Sequence, residues 1–262
     1  MKTNLLNHGN LTTELSGRAM QWLRKLEVLQ AVDSTNSRMM SLAAAESVQG
    51  NLLVSTNQTQ GRGRHGRQWL AQPDQAIAMS MGFEFRRHAS ELQGLSLVVG
   101  LALLDALQSL GVQKLALKWP NDLLLGGAKL AGILIETVTR GEWLCVVVGL
   151  GINLQGAQAL SARLNRQIAD LSCFEKCRDP NRLAGCIVAS VVTYLAAFDE
   201  HGFAPMRVQW QQHHAFQDQK LVVQQGDRKI SGLAVGVSDQ GELLLKTETG
   251  MQKISAGEVS ID

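Results

Sequence analysis

The sequence is poor in the features that mark specialised chains. One tyrosine, five tryptophans and six phenylalanines bring aromatic residues to only 5% of 262. That is too few to interleave with basic residues as a base-stacking surface. Charge is modest as well, at 18% charged residues and a net +2, whereas a dedicated nucleic-acid binder carries more and gathers it on one face. The four cysteines (Cys145, Cys173, Cys177, Cys186) contain no C-x-x-C pair. Cys173 and Cys177 could sit one helical turn apart, but no nearby histidine pair completes a metal site, so reduced structural thiols in a cytoplasmic protein are expected. The start, MKTNLLNHGN, lacks the basic and apolar regions of a signal peptide. The most hydrophobic stretch, 92–110, is broken by Gln93, Asp105 and Gln108 and reads as a buried helix, so no membrane partner is expected.

What is present is an ordinary globular composition, 45% hydrophobic, long enough for one large core and a small second one. Trp22, Leu23, Leu26 and Leu29 fall at helical spacing, which predicts a short amphipathic helix over 19–29. Asp33-Ser34-Thr35-Asn36 precedes a second helix, 37–46, and suits its N-cap. Strands are predicted for 51–58 and, from alternation, as a half-buried strand for 77–85. The long helix 91–110 follows, then a strand over 114–119 stopped by Pro120. A hairpin about Gly126-Gly127 and a central apolar strand, 143–148, come next. Residues 155–180 read as irregular, with helices after Pro180 and over 206–213. From about Lys220, short strands between glycine turns predict a small β-barrel docked on the main body.

The run GRGRHGRQW (61–69) matches G-x-G-x-x-G literally. A dinucleotide fold needs a helix directly after those glycines, but RQWLAQPDQ contains Pro73 and no helical period. A nucleic-acid groove would need more aromatics than Trp69. A clamp for a small anion remains, because arginine grips carboxylate and phosphate bidentately and glycine lets backbone amides approach the same anion. A plain basic surface turn remains open too. Lys118-Trp119-Pro120-Asn121-Asp122 ends a predicted strand and is followed by Lys129 in KLAGILIE. A lysine, an amide and a carboxylate delivered into one turn suit an anionic ligand with its Mg²⁺. A solvated Asn-Asp turn after a strand is the alternative.

DSTN, QTQGRGRHGRQW, KWPNDLLL, KLAGILIE and GLGINL, in this order and spacing, resemble the bacterial biotin–protein ligases, from about Asp33 to the C-terminus. The resemblance implies an α+β fold: a mixed, mainly antiparallel sheet flanked by helices, like the class II aminoacyl-tRNA synthetase core, over 1–213, with an SH3-like β-barrel over 214–262. It implies ATP-dependent activation of biotin to biotinyl-5′-AMP, with Mg²⁺, then transfer to a lysine of a biotin carboxyl carrier protein. Position by position, Ser34, Thr35, Asn36, Gln58 and Gly132 would line the biotin pocket. Arg62, Gly63 and Arg64 would wrap the carboxylate and then the phosphate. Arg64, Lys118 and Lys129 would be catalytic. Arg67, Trp69, Asn121, Asp122 and Asn153 would complete the ATP and adenylate site, with Asp122 the candidate for the metal.

Two letters depart from the family pattern: His65 stands where arginine is frequent, and Gln60 where a small residue is common. About thirty residues precede Asp33, short of the winged-helix DNA-binding domain that some members carry, so a ligase without repressor function is expected. The rival readings are a lipoate–protein ligase and a non-catalytic binding module. Nothing in the sequence selects an oligomeric state, although edge strands of the core offer a route to a homodimer.

Overall fold

In the computed structural model, which describes residues 6–261, two short helices come first, α1 (His8–Glu14) and α2 (Gly17–Trp22). Met1–Leu5, at the start of the stretch read for a signal peptide, and Asp262 lie outside the described residues. The helix expected over 19–29 ends at Trp22; Lys25–Leu29 is strand β1. Leu26 fits a helical spacing with Leu23 and Leu29, but equally a two-residue period with Val28. Parallel pairing with β2 (Asn51–Ser55), Leu26 to Leu52 and Val28 to Val54, sets them against the core. Ser34 caps α3 (Thr35–Ala45), its hydroxyl accepting from Ser37 N–H at 3.3 Å. Such a cap contributes about 1 kcal/mol.

The remaining elements of the main body are β3 (Ala76–Phe85), α4 (Leu95–Ser109), β4 (Leu115–Lys118), β5 (Asp122–Leu125), β6 (Ala128–Arg140), β7 (Trp143–Asn153), α5 (Ala157–Leu164), α6 (Pro180–His201) and α7 (Arg207–Gln212). The residues expected to be irregular thus contain α5, a short helix with no fully buried residue, whose apolar face is only Ala157, Leu160 and Leu164. The sheet runs β1-β2-β3-β7-β6-β5-β4, parallel only between β1 and β2, which makes it the mixed sheet expected. A second sheet holds β8 (Lys220–Gln225), β9 (Arg228–Val237), β10 (Leu243–Thr247), β11 (Gly250–Ile254) and β12 (Glu258–Ile261), in the order β11-β10-β9-β8-β12 and antiparallel throughout.

Two-residue alternation gives the main sheet unlike faces. Ile77, Met79, Met81, Phe83 and Phe85 of β3 and Val146, Val148, Leu150 and Ile152 of β7 enter the large core beneath α4 and α6. The opposite face carries small residues at one end, Ala78 and Ser80 beside Gly149 and Gly151, and at the other packs Cys145 and Val147 against Met39 and Ala43 of α3. So β3 is buried on both faces rather than half-buried, because its small residues are also covered. By length and composition α4 with its leading turn (Ala89–Ser109) and α6 could each cross a membrane, yet the two helices pack on one another and line the core. The two units meet where Trp119 Nε1 donates to Gly241 O at 3.0 Å. At the same seam His213–Ala215 adds to the β4 edge, through Leu117 N to His213 O at 2.7 Å and Ala215 N to Leu117 O at 2.8 Å.

Candidate active site

Three glycines make the floor of a cleft on the small-residue face. Gly151 pairs with Gly132 across β6 and β7 and with Ala78 of β3, and Gly149 pairs with Ser80. A Cβ on Gly149 would lie 2.2 Å from Asn36 Oδ1, and one on Gly151 would lie 2.5 Å from the Trp69 ring. The GLGIN segment therefore reads as a shelf on which an amide and an indole rest. Lys129 Nζ stands 5.9 Å from the centre of the Trp69 ring, and Trp69 Nε1 is buried with no acceptor among the described residues.

At one end of the shelf is a buried polar cluster. Thr35 N–H and hydroxyl donate to Gln58 Oε1 at 2.8 and 3.2 Å, and the Ser80 hydroxyl lies 2.9 Å from Thr35 Oγ1 and 2.8 Å from Asn36 Oδ1. Ser34, Thr35 and Asn36 are all at least 96% buried. The DSTN segment is thus both helix cap and pocket wall. At the other end, Lys129 Nζ donates to Asp122 Oδ1 at 2.6 Å, and Asn121 Nδ2 to Ile133 O at 2.8 Å. Burial lowers the Lys118 ammonium below its ordinary range; Asp122 opposes this, while Lys129, Arg166 and Arg67 add to the depression. Burial likewise lowers the Arg64 guanidinium, with Asp122 opposing and Arg67 reinforcing. Several cations crowd one carboxylate here, an arrangement that a bound polyanion would relieve.

The arginine-glycine run forms a tight hairpin over the cleft. Gly63 N–H donates to Arg67 O at 2.8 Å and Trp69 N–H to Gly61 O at 2.9 Å, so the Gly63 amide expected to face an anion is engaged within the loop. Its arginines diverge. Arg62 pairs bidentately with Glu136 at 2.7 and 3.0 Å, Arg64 reaches Asn121 Oδ1 at 3.3 Å, and Arg67 pairs with Glu258 of the terminal unit. His65 adopts φ 54° and ψ 37°, left-handed backbone that histidine enters more readily than most residues.

Every expected site residue except Asn153 lines this one cleft. Asn153 is 3% exposed, and its amide donates to Ala169 O at 3.1 Å and Lys129 O at 3.4 Å. It fixes the backbone that carries Lys129 instead of facing the cleft, because its side chain is consumed by those carbonyls. Two residues absent from the sequence-based expectation also belong here. Glu136 receives Arg62, and exposed Arg166 lines the cleft from a segment whose Gln167 O accepts from Lys129 N–H at 3.1 Å. Glu136 was legible only as the last letter of KLAGILIE, and Arg166 carried no signal.

Comparison with known proteins places the chain in a family. Residues 28–153 match the Biotin/lipoate A/B protein ligase family, and residues 221–262 match the Biotin protein ligase C terminal domain. The biotin–[acetyl-CoA-carboxylase] ligase of Paracoccus denitrificans is 34% identical over 88% of this chain and 98% of its own. The bifunctional ligase/repressor BirA of Escherichia coli is 31% identical over 98% of this chain and 78% of its own. Among solved structures, a biotin protein ligase from Aquifex aeolicus in complex with biotin and ATP superposes with a TM-score of 0.76. It is 29% identical, covering 92% of this chain and 99% of that one.

Proposed function

The chain belongs to the biotin protein ligase family, and from that premise we propose how its own residues activate biotin with ATP and pass it to a carrier lysine. The observation that carries the assignment of roles is the juxtaposition, along one glycine shelf, of a buried polar pocket and a crowd of cations. The pocket of Ser34, Thr35, Asn36 and Gln58 takes the ureido head of biotin, whose donors and acceptors would otherwise be buried unpaired. The valeryl chain lies over the shelf of Gly132, Gly149 and Gly151, and the carboxylate arrives between Lys129 and the arginine loop.

In the first step a carboxylate oxygen of biotin attacks the α-phosphorus of ATP, forming the acyl–phosphate bond as the bond to pyrophosphate breaks. Two anions must meet, so Arg62, Arg64, Lys118 and Lys129 offset their repulsion and the charge at phosphorus. Arg166 supplies a further cation for the departing pyrophosphate, Arg67 a weaker outer one, and Trp69 covers the adenylate. Among the described residues no cluster of three or more acidic, histidine or cysteine side chains forms a metal cage. Asp122, whose Oδ1 is held by Lys129, would offer a carboxylate oxygen to Mg²⁺ arriving with the nucleotide. Such an ion neutralises phosphate charge when bound. In the second step the carrier lysine amine attacks the acyl carbon and AMP leaves; the loop hairpin keeps water from the anhydride until then.

The carrier is a biotin carboxyl carrier protein, the reaction runs in the cytoplasm, and residues 1–213 perform it with 214–262 as the terminal unit that receives Arg67. Pyrophosphate release from ATP, measured with biotin and with lipoate, tests the reading. Release with biotin alone is expected, and release with lipoate alone would refute it.

A further inference from the structure

Glu136 has no part in the roles above, yet it joins the polar pocket to the arginine loop. It lies on β6 two residues beyond Leu134 and four beyond Gly132, on the face that carries the shelf. Its Oε2 accepts from Asn36 Nδ2 at 2.8 Å and from Arg62 Nη1 at 3.0 Å, and its Oε1 accepts from Arg62 Nη2 at 2.7 Å. Arg62 Nη1 also lies 3.4 Å from the Ser37 hydroxyl. Asn36 meanwhile takes its other contact on Oδ1 from the Ser80 hydroxyl at 2.8 Å, and Ser80 in turn meets Thr35, which donates to Gln58. An unbroken chain of polar contacts therefore runs from the floor of the head pocket, through Glu136, to the loop arginine.

We propose that Glu136 is a positioning residue that orients the Asn36 amide for the ligand's head and holds Arg62 on a stand-in carboxylate until the ligand's own carboxylate replaces it. The chemistry is an exchange of like for like. A guanidinium fork bound to one carboxylate passes to another without standing unpaired, and the pair is exposed enough to open, with Arg62 44% and Glu136 22% accessible. The Asn36 arm is of the opposite kind. Asn36 is 4% exposed, and an amide with Nδ2 on Glu136 and Oδ1 on Ser80 has one hydrogen and one lone pair left, in fixed directions. The Asn36–Glu136 contact needs only an acceptor oxygen on the Glu136 side chain, so it persists when Arg62 transfers to the ligand.

The inference rests on the biotin reading, and two substitutions separate its arms. Glu136→Gln keeps an acceptor for Asn36 and removes the ion pair; Glu136→Ala removes both. In the enzyme without ligands, cleavage by trypsin at Arg62–Arg67 is expected to rise about ten-fold in both variants, as loss of a charge-assisted contact frees the loop. The KM for biotin should stay within about two-fold of wild type in Glu136→Gln and rise about ten-fold in Glu136→Ala, with kcat changing less. Unchanged cleavage in both variants would overturn the proposal. So would an unchanged KM in Glu136→Ala, or an equal rise in KM for both. The cleavage arm uses no ligand, so a wild-type enzyme inert toward biotin would sink the functional reading without deciding this one.

Discussion

The two walls of the cleft are held by different physics. The sheet wall consists of Gly132, Gly149 and Gly151 in register on neighbouring strands, with Lys129 fixed through Asp122 and through backbone bonds to Gln167 and Ala169. The glycines are placed by the strand ladder and the Lys129 backbone by its own hydrogen bonds, while its ammonium rests on Asp122. The loop wall is a hairpin closed by its own backbone, whose arginines reach three separate partners, Glu136, Asn121 and Glu258. Those contacts are side chain to side chain and partly wet, worth about 0–1 kcal/mol each when exposed. Alignment of the reacting atoms belongs to the first wall, and opening and closing to the second.

The contrast breaks most sharply at Lys129. Lys129→Ala should lower adenylate formation by at least about 100-fold in a folded protein, since it removes a fixed cation from the reacting atoms. Near-normal pyrophosphate release would mean that the sheet wall does not align the reaction. The next largest effect is expected at the shelf. Gly149→Ala puts a methyl 2.2 Å from Asn36 Oδ1, so the amide must move. Biotin affinity should fall about ten-fold, with stability reduced by about 1–3 kcal/mol, as read by calorimetry and urea unfolding. Unaltered affinity would show that Asn36 is not held where the ligand needs it.

A third prediction concerns the seam between the units. Burial pushes His214 down to about 4 from 6.5, with a side-chain contact to Gln217 and the charge of Asp218 opposing. The folded protein keeps this imidazole neutral while the unfolded chain protonates it below 6.5. Stability should therefore be full above pH 6.5 and fall progressively as pH drops toward 4, by up to ~3 kcal/mol. In His214→Phe, which retains stacking on Trp210, that slope should flatten; an unchanged pH profile of unfolding would refute the assignment. The smallest effect is expected at the loop's outer tether. Arg67→Ala should change stability by less than about 1 kcal/mol and adenylate formation by only a few-fold. A larger stability loss would place the loop with the rigid wall.

The same contrast governs what could be read in the letters. The glycine-arginine run and KWPND were legible because their residue types carry the chemistry, whatever their neighbours. Glu136 was not, since its partner Arg62 lies 74 residues away, and only folding reveals that the two meet. Arg166 sits in a segment without period that the backbone of Lys129 organises. Asn153 does not line the cleft, its amide being spent on Ala169 O and Lys129 O, although Gly149, Leu150 and Gly151 of the same segment do. In the fold, β1 was mistaken for helix because Leu26 fits a helical spacing with Leu23 and Leu29 as well as a two-residue period with Val28, and the parallel partner that decides between them lies about 26 residues on. The antiparallel hairpins needed no such remote partner and were read correctly.

The central claim is that the rigid wall and the exchangeable wall together activate biotin and deliver it to a protein amine. Mass spectrometry of a biotin carboxyl carrier domain incubated with the enzyme, biotin and MgATP tests it most directly. The account predicts a gain of one biotin on one lysine, dependent on ATP and lost in Lys129→Ala. An unmodified carrier, or a carrier modified by lipoate and not by biotin, would contradict it.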